Sequence, residues 1–381
     1  MEYVKFGELY SIPSSNGVSR PSAVRGKGYK MINMGELFAN DIISDMPMER
    51  VHLSPKEKEK FLVQENDLLF ARQSLVAEGA GKCSIVKQLS EETTFESHLI
   101  RVRLNEKLCN PWFYYYLFQL PYNPVKTIVN QCAQAGIRGK ELVNIKVPLP
   151  SIEVQNKIAN ALSTFDELIE NNNKRIKLLE QMAENLFKEW FVRFRFPGHE
   201  TAKFENGLPE GWMVMRVKDL VKRYPFGTLY KGDSILSEGK TIVIDQSSNE
   251  YAGFHNNEPS HIADINYPMI LFGDHTCKYQ LMTIPFSLSE NVVPFTGTEG
   301  VDTTYLYYLV NGIVETTEYK RHWTEFVSKK VLVADNKSQR LFRDKIKDKL
   351  LLIEFLKLQN RNLTKQRDLL LPRLMSGKLE V

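Results

Sequence analysis

From Ser151 to Phe196, apolar residues recur at Ile158, Leu162, Phe165, Ile169, Ile176, Leu179, Ala183, Leu186 and Trp190, with Asn172 at the one missing step. Steps of four and three make a heptad seam and predict one long helix. Pro148 and Pro150 forbid a helix before it, Ser151 is placed to cap it with Glu153 in its first turn, and Pro197-Gly198 is expected to stop it. At about 1.5 Å per residue the helix is roughly 60 Å long. A narrow apolar stripe on so long a helix cannot bury itself and needs a partner.

The other end of the chain offers one. From Ser338 to Met375 the pattern returns at Ile346, Leu350, Ile353, Leu356, Asn360, Leu363, Leu370 and Leu374. One constant offset aligns Ile158 with Ile346, Leu162 with Leu350, Phe165 with Ile353 and Asn172 with Asn360. Each helix therefore carries a seam asparagine near its middle, a residue that costs stability and fixes register or partner number. The two helices are expected to pack together with Asn172 near Asn360; the competing reading is two unrelated amphipathic helices. Lys357 and Arg367 fall where the first helix has Ile169 and Leu179, Gln339-Arg340 only loosely echoes the entry to the first helix, and Pro372 is expected to kink or end the last turn.

The duplicated helix prompts a search for a longer repeat. Val4-Lys5-Phe6-Gly7-Glu8-Leu9 resembles Met215-Arg216-Val217-Lys218-Asp219-Leu220, Asp67 to Arg72 matches Met269 to Asp274, and Tyr115-Tyr116-Leu117 answers Tyr307-Tyr308-Leu309. Leu68 to Phe70, Ile100 to Val102, Ile270 to Phe272 and Val292 to Phe295 read as short buried strands. Pro111 to Leu120 and Thr303 to Asn311 read as helices with their aromatics, Tyr114, Tyr115 and Tyr116 among them, turned inward. Leu208-Pro209-Glu210-Gly211-Trp212 restarts the fold after the first long helix. The expected class is α+β: two globular α/β domains, at 1–150 and 197–335, alternating with two long helices, at 151–196 and 336–381. An antiparallel coiled coil of those helices would be a spacer between the domains.

Composition changes this picture little: 381 residues, 43% hydrophobic and 25% charged, suit two domains with connectors. The start, MEYVKFGELY, does not read as a signal peptide and no stretch is apolar enough to span a bilayer, so a cytoplasmic location is expected. Cys83, Cys109, Cys132 and Cys277 lie far apart without metal or disulfide spacing. Formal charge is +4, spread as +3 over 1–150, 0 over 151–196, −6 over 197–335 and +7 over 336–381. Charge alone does not mark a nucleic-acid binder, because phosphate neutralisation asks for a plainer basic excess.

Motifs that carry chemistry are missing. Asn110-Pro111-Trp112-Phe113 approaches the NPPY-type motif of base methyltransferases but lacks its second proline, and Pro111 reads as a first-turn proline. Gly79-Ala80-Gly81-Lys82-Cys83 is an ordinary glycine loop, with Val76 where a phosphate loop has its first glycine and Cys83 where it has Ser or Thr. The seven histidines are scattered, and neither a catalytic triad nor a metal-nuclease carboxylate cluster can be assembled by spacing. The chain reads as an organiser of chemistry done by others.

Loops on rigid scaffolds are the natural places for recognition. Arg72, Gln73 and Ser74 follow the strand at Leu68 to Phe70, and Lys82 and Arg138 lie in glycine-containing loops. At the corresponding place in the second half stand Asp274, His275, Lys278, Tyr279 and Gln280. Arg to guanine and Gln to adenine are the commonest bidentate base contacts, so these two clusters are the candidate DNA-binding residues. The candidate helix-pair seam is Ile158, Leu162, Phe165, Asn172, Leu186, Ile346, Leu350, Ile353, Asn360 and Leu374.

Val147-Pro148-Leu149-Pro150 leading into Gln155, Ile158 and Asp166, then Leu186-Phe187-Lys188-Glu189-Trp190-Phe191-Val192, Leu208 to Trp212, and the ending Leu371-Pro372-Arg373-Leu374-Met375-Ser376-Gly377-Lys378-Leu379 together resemble the specificity (S) subunit of type I restriction-modification systems. The resemblance covers essentially the whole chain. It implies two target recognition domains, each reading one half of a split double-stranded DNA sequence. It further implies an antiparallel coiled coil that acts as a ruler and docks two modification (methyltransferase) subunits. Those partners would hold S-adenosylmethionine and methylate adenine; restriction subunits would add ATP- and Mg-dependent translocation and cleavage. No cofactor, metal or catalytic residue is expected in this chain. Two readings compete with it: a helical scaffold that binds no DNA, and the recognition part of a split methyltransferase or nuclease.

Overall fold

A computed structural model describes residues 2–74, 79–131, 135–316, 318 and 320–379. Val76 and Cys132 lie outside them. The chain forms two compact units, Met1–Glu170 with Arg361–Val381, and Asn171–Asn360. Each holds one globular domain and a part of both long helices, so each unit carries its own stretch of helix pair.

In the first unit a five-stranded sheet runs in the order Tyr10–Asn16, Leu99–Leu104, Leu68–Ala71, Cys83–Val86, Ile42–Ile43. Its central strand Leu68–Ala71 is buried throughout because both faces are covered. Leu68 and Phe70 join the cluster that contains Phe6, Phe113 and Phe118, while Leu69 and Ala71 join Ile32, Leu37 and Phe95 on the other side. The aromatic helix Pro111–Gln119 covers the first face, capped by the Asn110 side chain, which accepts from the amides of Trp112 and Phe113. As expected, Tyr114, Tyr115 and Tyr116 are core residues. A short antiparallel pair, Tyr3–Lys5 with Lys146–Pro148, closes the unit immediately before the first long helix.

The second unit repeats the frame with shorter connections. Its sheet runs Val221–Arg223, Val292–Gly297, Met269–Gly273, Tyr279–Met282, with a separate three-stranded sheet of Gly253–His255, Thr241–Ile244 and Phe286–Leu288. The aromatic helix is Thr303–Val310, capped by Asp302, and the closing pair is Met213–Arg216 with Lys330–Val333. All four strands and both aromatic helices expected from the apolar runs are present.

The first long helix spans Ile152–Phe187 and then widens into a π turn, Lys188–Val192. It therefore ends before Pro197-Gly198, the expected stop. The physical reason is local: the amides of Arg193 and Arg195 bond to the carbonyls of Lys188 and Glu189, Phe194 takes a positive φ of 58°, and Phe191, Phe194 and Phe196 gather around Trp212. The second helix, Asn336–Met375, runs through Pro372 rather than ending there. Near a C-terminus the proline deprives only one carbonyl, that of Asp368, of its helical donor. Buried Leu371, Leu374 and Met375 hold the turn in place.

Within each unit the helices run antiparallel. In the first, Ile158 and Leu162 share a buried cluster with Leu371, Leu374 and Met375, and Asp166 meets Arg367 at 2.5 Å. In the second, Asn172 donates to Oδ1 of Asn360 at 2.9 Å and to Oε1 of Gln359 at 3.0 Å, and Asn360 donates to Asn173 at 2.8 Å. Ala183, Phe187, Phe342 and Ile346 follow in one cluster, with Leu186 and Leu350 packed against it. The expected asparagine contact thus forms. The other aligned pairs are divided between the units: Ile158, Leu162 and Phe165 belong to the first, whereas Ile346, Leu350 and Ile353 belong to the second. An antiparallel pair can satisfy a constant offset at one crossing only, and that crossing is Asn172–Asn360.

Candidate nucleic-acid interface

After the buried strand Leu68–Ala71 the first unit turns into a small sheet, Gln73–Ser74 paired with Ala135–Gly136, itself paired with Asn130–Gln131. Arg72 sits at its entry: its amide donates to the His98 carbonyl at 2.8 Å and its carbonyl accepts from the Ile137 amide at 2.9 Å. A Cβ on Gly136 would stand 3.0 Å from that carbonyl, so glycine permits the close approach. Arg72, Gln73, Ser74 and Arg138, distant in sequence, are brought together. Among the described residues no side-chain bond or ion pair engages the Arg72 guanidinium, and Arg138 is exposed at the start of the short helix Gly139–Leu142. Lys82 belongs to the scaffold, its amine bonded to the Phe38 carbonyl at 2.8 Å and paired with Asp41 at 3.0 Å. Its neighbour Cys83 is buried in the sheet, and burial pushes the thiol well up.

The corresponding hairpin of the second unit, between Met269–Gly273 and Tyr279–Met282, spends its polar atoms internally. The Asp274 carboxylate accepts from the Trp323 amide at 2.9 Å. His275 lies 3.2 Å from the Lys320 carbonyl. The Lys278 amine donates to the carbonyls of Asp245 (3.2 Å) and Asn249 (2.5 Å), and burial lowers its pKa. Gln280 donates to the Glu250 carbonyl at 3.2 Å. Tyr279 packs on Phe272 and Phe326, and burial drives its hydroxyl pKa upward. Loop 245–250 is thus tied to the hairpin, and Glu250 in turn pairs with Lys357 of the second helix at 3.1 Å.

Sequence reasoning missed two groups. Asp166 accepts from the Tyr116 hydroxyl (2.5 Å) as well as from Arg367. Burial opposes charge on Arg367, yet the facing Asp166 wins and raises its pKa. The second group is Arg321, 3.8 Å from Asp274 and 78% exposed. Its signal was available: the repeat puts an acid, Asp274, where the first half has a base, Arg72, and that reversal asks what compensates it.

Residues 1–181 match the family described as the type I restriction modification DNA specificity domain. The chain is homologous to type I specificity subunits. The putative type I restriction enzyme MjaX specificity subunit of Methanocaldococcus jannaschii is 25% identical over 350 residues, covering 84% of this chain and 80% of that subunit. The MjaIX specificity subunit of the same organism is 37% identical over 116 residues, 29% of this chain; that match spans only 27% of the relative's length. A crystal structure of a type I restriction-modification system S subunit from M. genitalium shares the fold, with a TM-score of 0.56 at 14% identity over 98% of this chain and 95% of that one. Among the described residues no helix is long and apolar enough to cross a membrane.

Proposed function

We propose that this chain is the DNA-recognition subunit of a type I restriction-modification complex, reading a bipartite target with one globular domain per half-site. The observation that carries the reading is the repetition of one frame in two units, each ending its buried central strand at a loop where side chains from distant segments meet. In the first unit the readers are Arg72, Gln73 and Arg138, with Ser74 beside them. Arginine and glutamine offer the bidentate geometry that distinguishes guanine and adenine edges.

The helices set the gap between half-sites and dock two modification subunits, which carry S-adenosylmethionine; restriction subunits join the same complex. Exposed apolar side chains support a docking role. In the second unit Leu351, Phe355 and Leu358 form a stripe on the second helix, 44%, 60% and 49% exposed, and Leu178 and Met182 are 59% and 53% exposed on the first. A helix that is apolar on the seam and again on a solvent face has the character of a protein interface. Docked modification subunits also supply phosphate contacts, which explains how an acidic 197–335 segment serves a DNA reader.

Inserting four residues into the first helix tests this. The expected result is a changed gap in the methylated motif, or loss of recognition. An unchanged gap with full methylation contradicts the ruler.

A further inference from the structure

We infer that Arg321 is the base-reading cation of the second unit, occupying the place that Arg72 holds in the first, with Asp274 as its positioning residue. The inference rests on the recognition role proposed above and names the residue that performs it in one half-site.

Both units build the same backbone node. The residue after strand Leu68–Ala71 is Arg72, whose carbonyl accepts from the Ile137 amide at 2.9 Å as the chain enters Gly139–Leu142. After strand Met269–Gly273 comes Asp274, whose carbonyl accepts from the His322 amide at 2.8 Å as the chain enters Trp323–Ser328. One node carries a guanidinium and the other a carboxylate.

The carboxylate does not face outward. Its side chain is 12% exposed, and one oxygen accepts from the Trp323 amide at 2.9 Å, capping the helix that begins there. Its other oxygen stands 3.8 Å from Nε of Arg321, whose side chain is 78% exposed. Asp274 thus attracts the Nε edge of Arg321 at ion-pair distance, beyond hydrogen-bond reach, while no bond to a described residue occupies its two terminal nitrogens. A guanidinium drawn to a carboxylate on one edge with its fork free can present that fork to guanine O6 and N7. The second unit supplies the cation from the returning segment where the first supplies it from the strand end. This also explains the acid in the repeat: Asp274 orients Arg321 instead of touching DNA.

The test maps adenine methylation in cells carrying the modification subunit with the wild-type chain, Arg321→Ala, Arg321→Lys or Arg72→Ala. Both Arg321 variants are expected to relax a single base position in one half-site, with discrimination there falling about 5- to 150-fold. The other half-site and the gap stay as in wild type, and Arg72→Ala acts on that other half-site. Arg321→Lys keeps the charge but loses the fork, so relaxation by lysine separates base reading from phosphate attraction. A wild-type motif with Arg321→Ala, or methylation weakened evenly at all sites, overturns the assignment. If the wild-type chain itself directs no sequence-specific methylation, the recognition role fails and the assignment with it.

Discussion

Gln155 and Gln339 make the same two hydrogen bonds in the two units. Gln155 accepts from the Asn110 amide at 2.9 Å and donates to the Pro150 carbonyl at 2.8 Å; Gln339 accepts from the Asp302 amide at 2.9 Å and donates to the Ala334 carbonyl at 2.8 Å. Both side chains are fully buried, at 0% and 1% exposure. Each amide joins the start of an aromatic helix to the entry of a long helix, so it fixes how a globular domain is mounted on its stretch of helix pair. Replacing either by leucine removes the partner of a backbone amide and of a backbone carbonyl, half-buried except for the buried Ala334 carbonyl, at about 0.5–1.5 kcal/mol each. Hydrogen exchange at Asn110 should accelerate in Gln155→Leu and at Asp302 in Gln339→Leu, by at least tenfold, each within its own unit. Unchanged protection would remove the mounting role.

These glutamines also correct the repeat. Aligning them makes Ile158 equivalent to Phe342 and Leu162 to Ile346, one helical turn away from the alignment of Ile158 with Ile346. All four are buried at the start of their helices. Apolar periodicity recurs every turn, so a shift of four residues leaves the pattern intact; a buried polar residue marks the register that apolar ones cannot. The long helices, the central strands, the aromatic helices and the duplication were legible because each rests on local pattern. The π turn, the tolerance of Pro372 and the internal bonding of Lys278 and Gln280 were not, because each depends on tertiary neighbours distant in sequence.

Asp166 and Arg367 form a buried pair, with side chains 7% and 21% exposed, whereas Arg367 and Asp368 form an outer one in which Asp368 is 56% exposed. Removing one member of a buried pair costs about 3–5 kcal/mol, and removing a solvated partner about 0–1 kcal/mol. Arg367→Ala should therefore lower the urea midpoint of the first unit well below that of Asp368→Ala. Equal midpoints would contradict the burial of the pair.

The asparagine crossing carries a different expectation. Asn172 is 5% exposed and bonds to Asn360 and Gln359 across the helix pair. Substituting both with isoleucine should raise the thermal midpoint while loosening register, since a seam asparagine exchanges stability for specificity. Asn172→Ile alone should destabilise by about 0.5–1.5 kcal/mol, because the half-buried Asn360 side-chain oxygen loses its donor while the Asn360 amide keeps its bond to Asn173. A single variant as stable as the double one would show that the pair does not set register.

Two histidines make the second unit acid-sensitive. His255 stacks on Tyr230 and His261 on Phe286; both are buried, and burial lowers both pKa values below the usual 6.5. The unfolded chain binds protons near pH 6.5 while the folded one does not, so stability is full above that pH. It falls as pH drops toward the depressed folded values, by at most about 1.4 kcal/mol per pH unit for each histidine. Urea midpoints of the second unit between pH 7.5 and 5 should decline in the wild type, and less in His255→Phe. A flat profile would contradict the burial.

The most direct measurement is adenine-methylation mapping in cells expressing the cognate modification subunit with this chain and without it. A split motif with a fixed gap, seen only when the chain is present, is the predicted result. Identical methylation in both strains would contradict the recognition role.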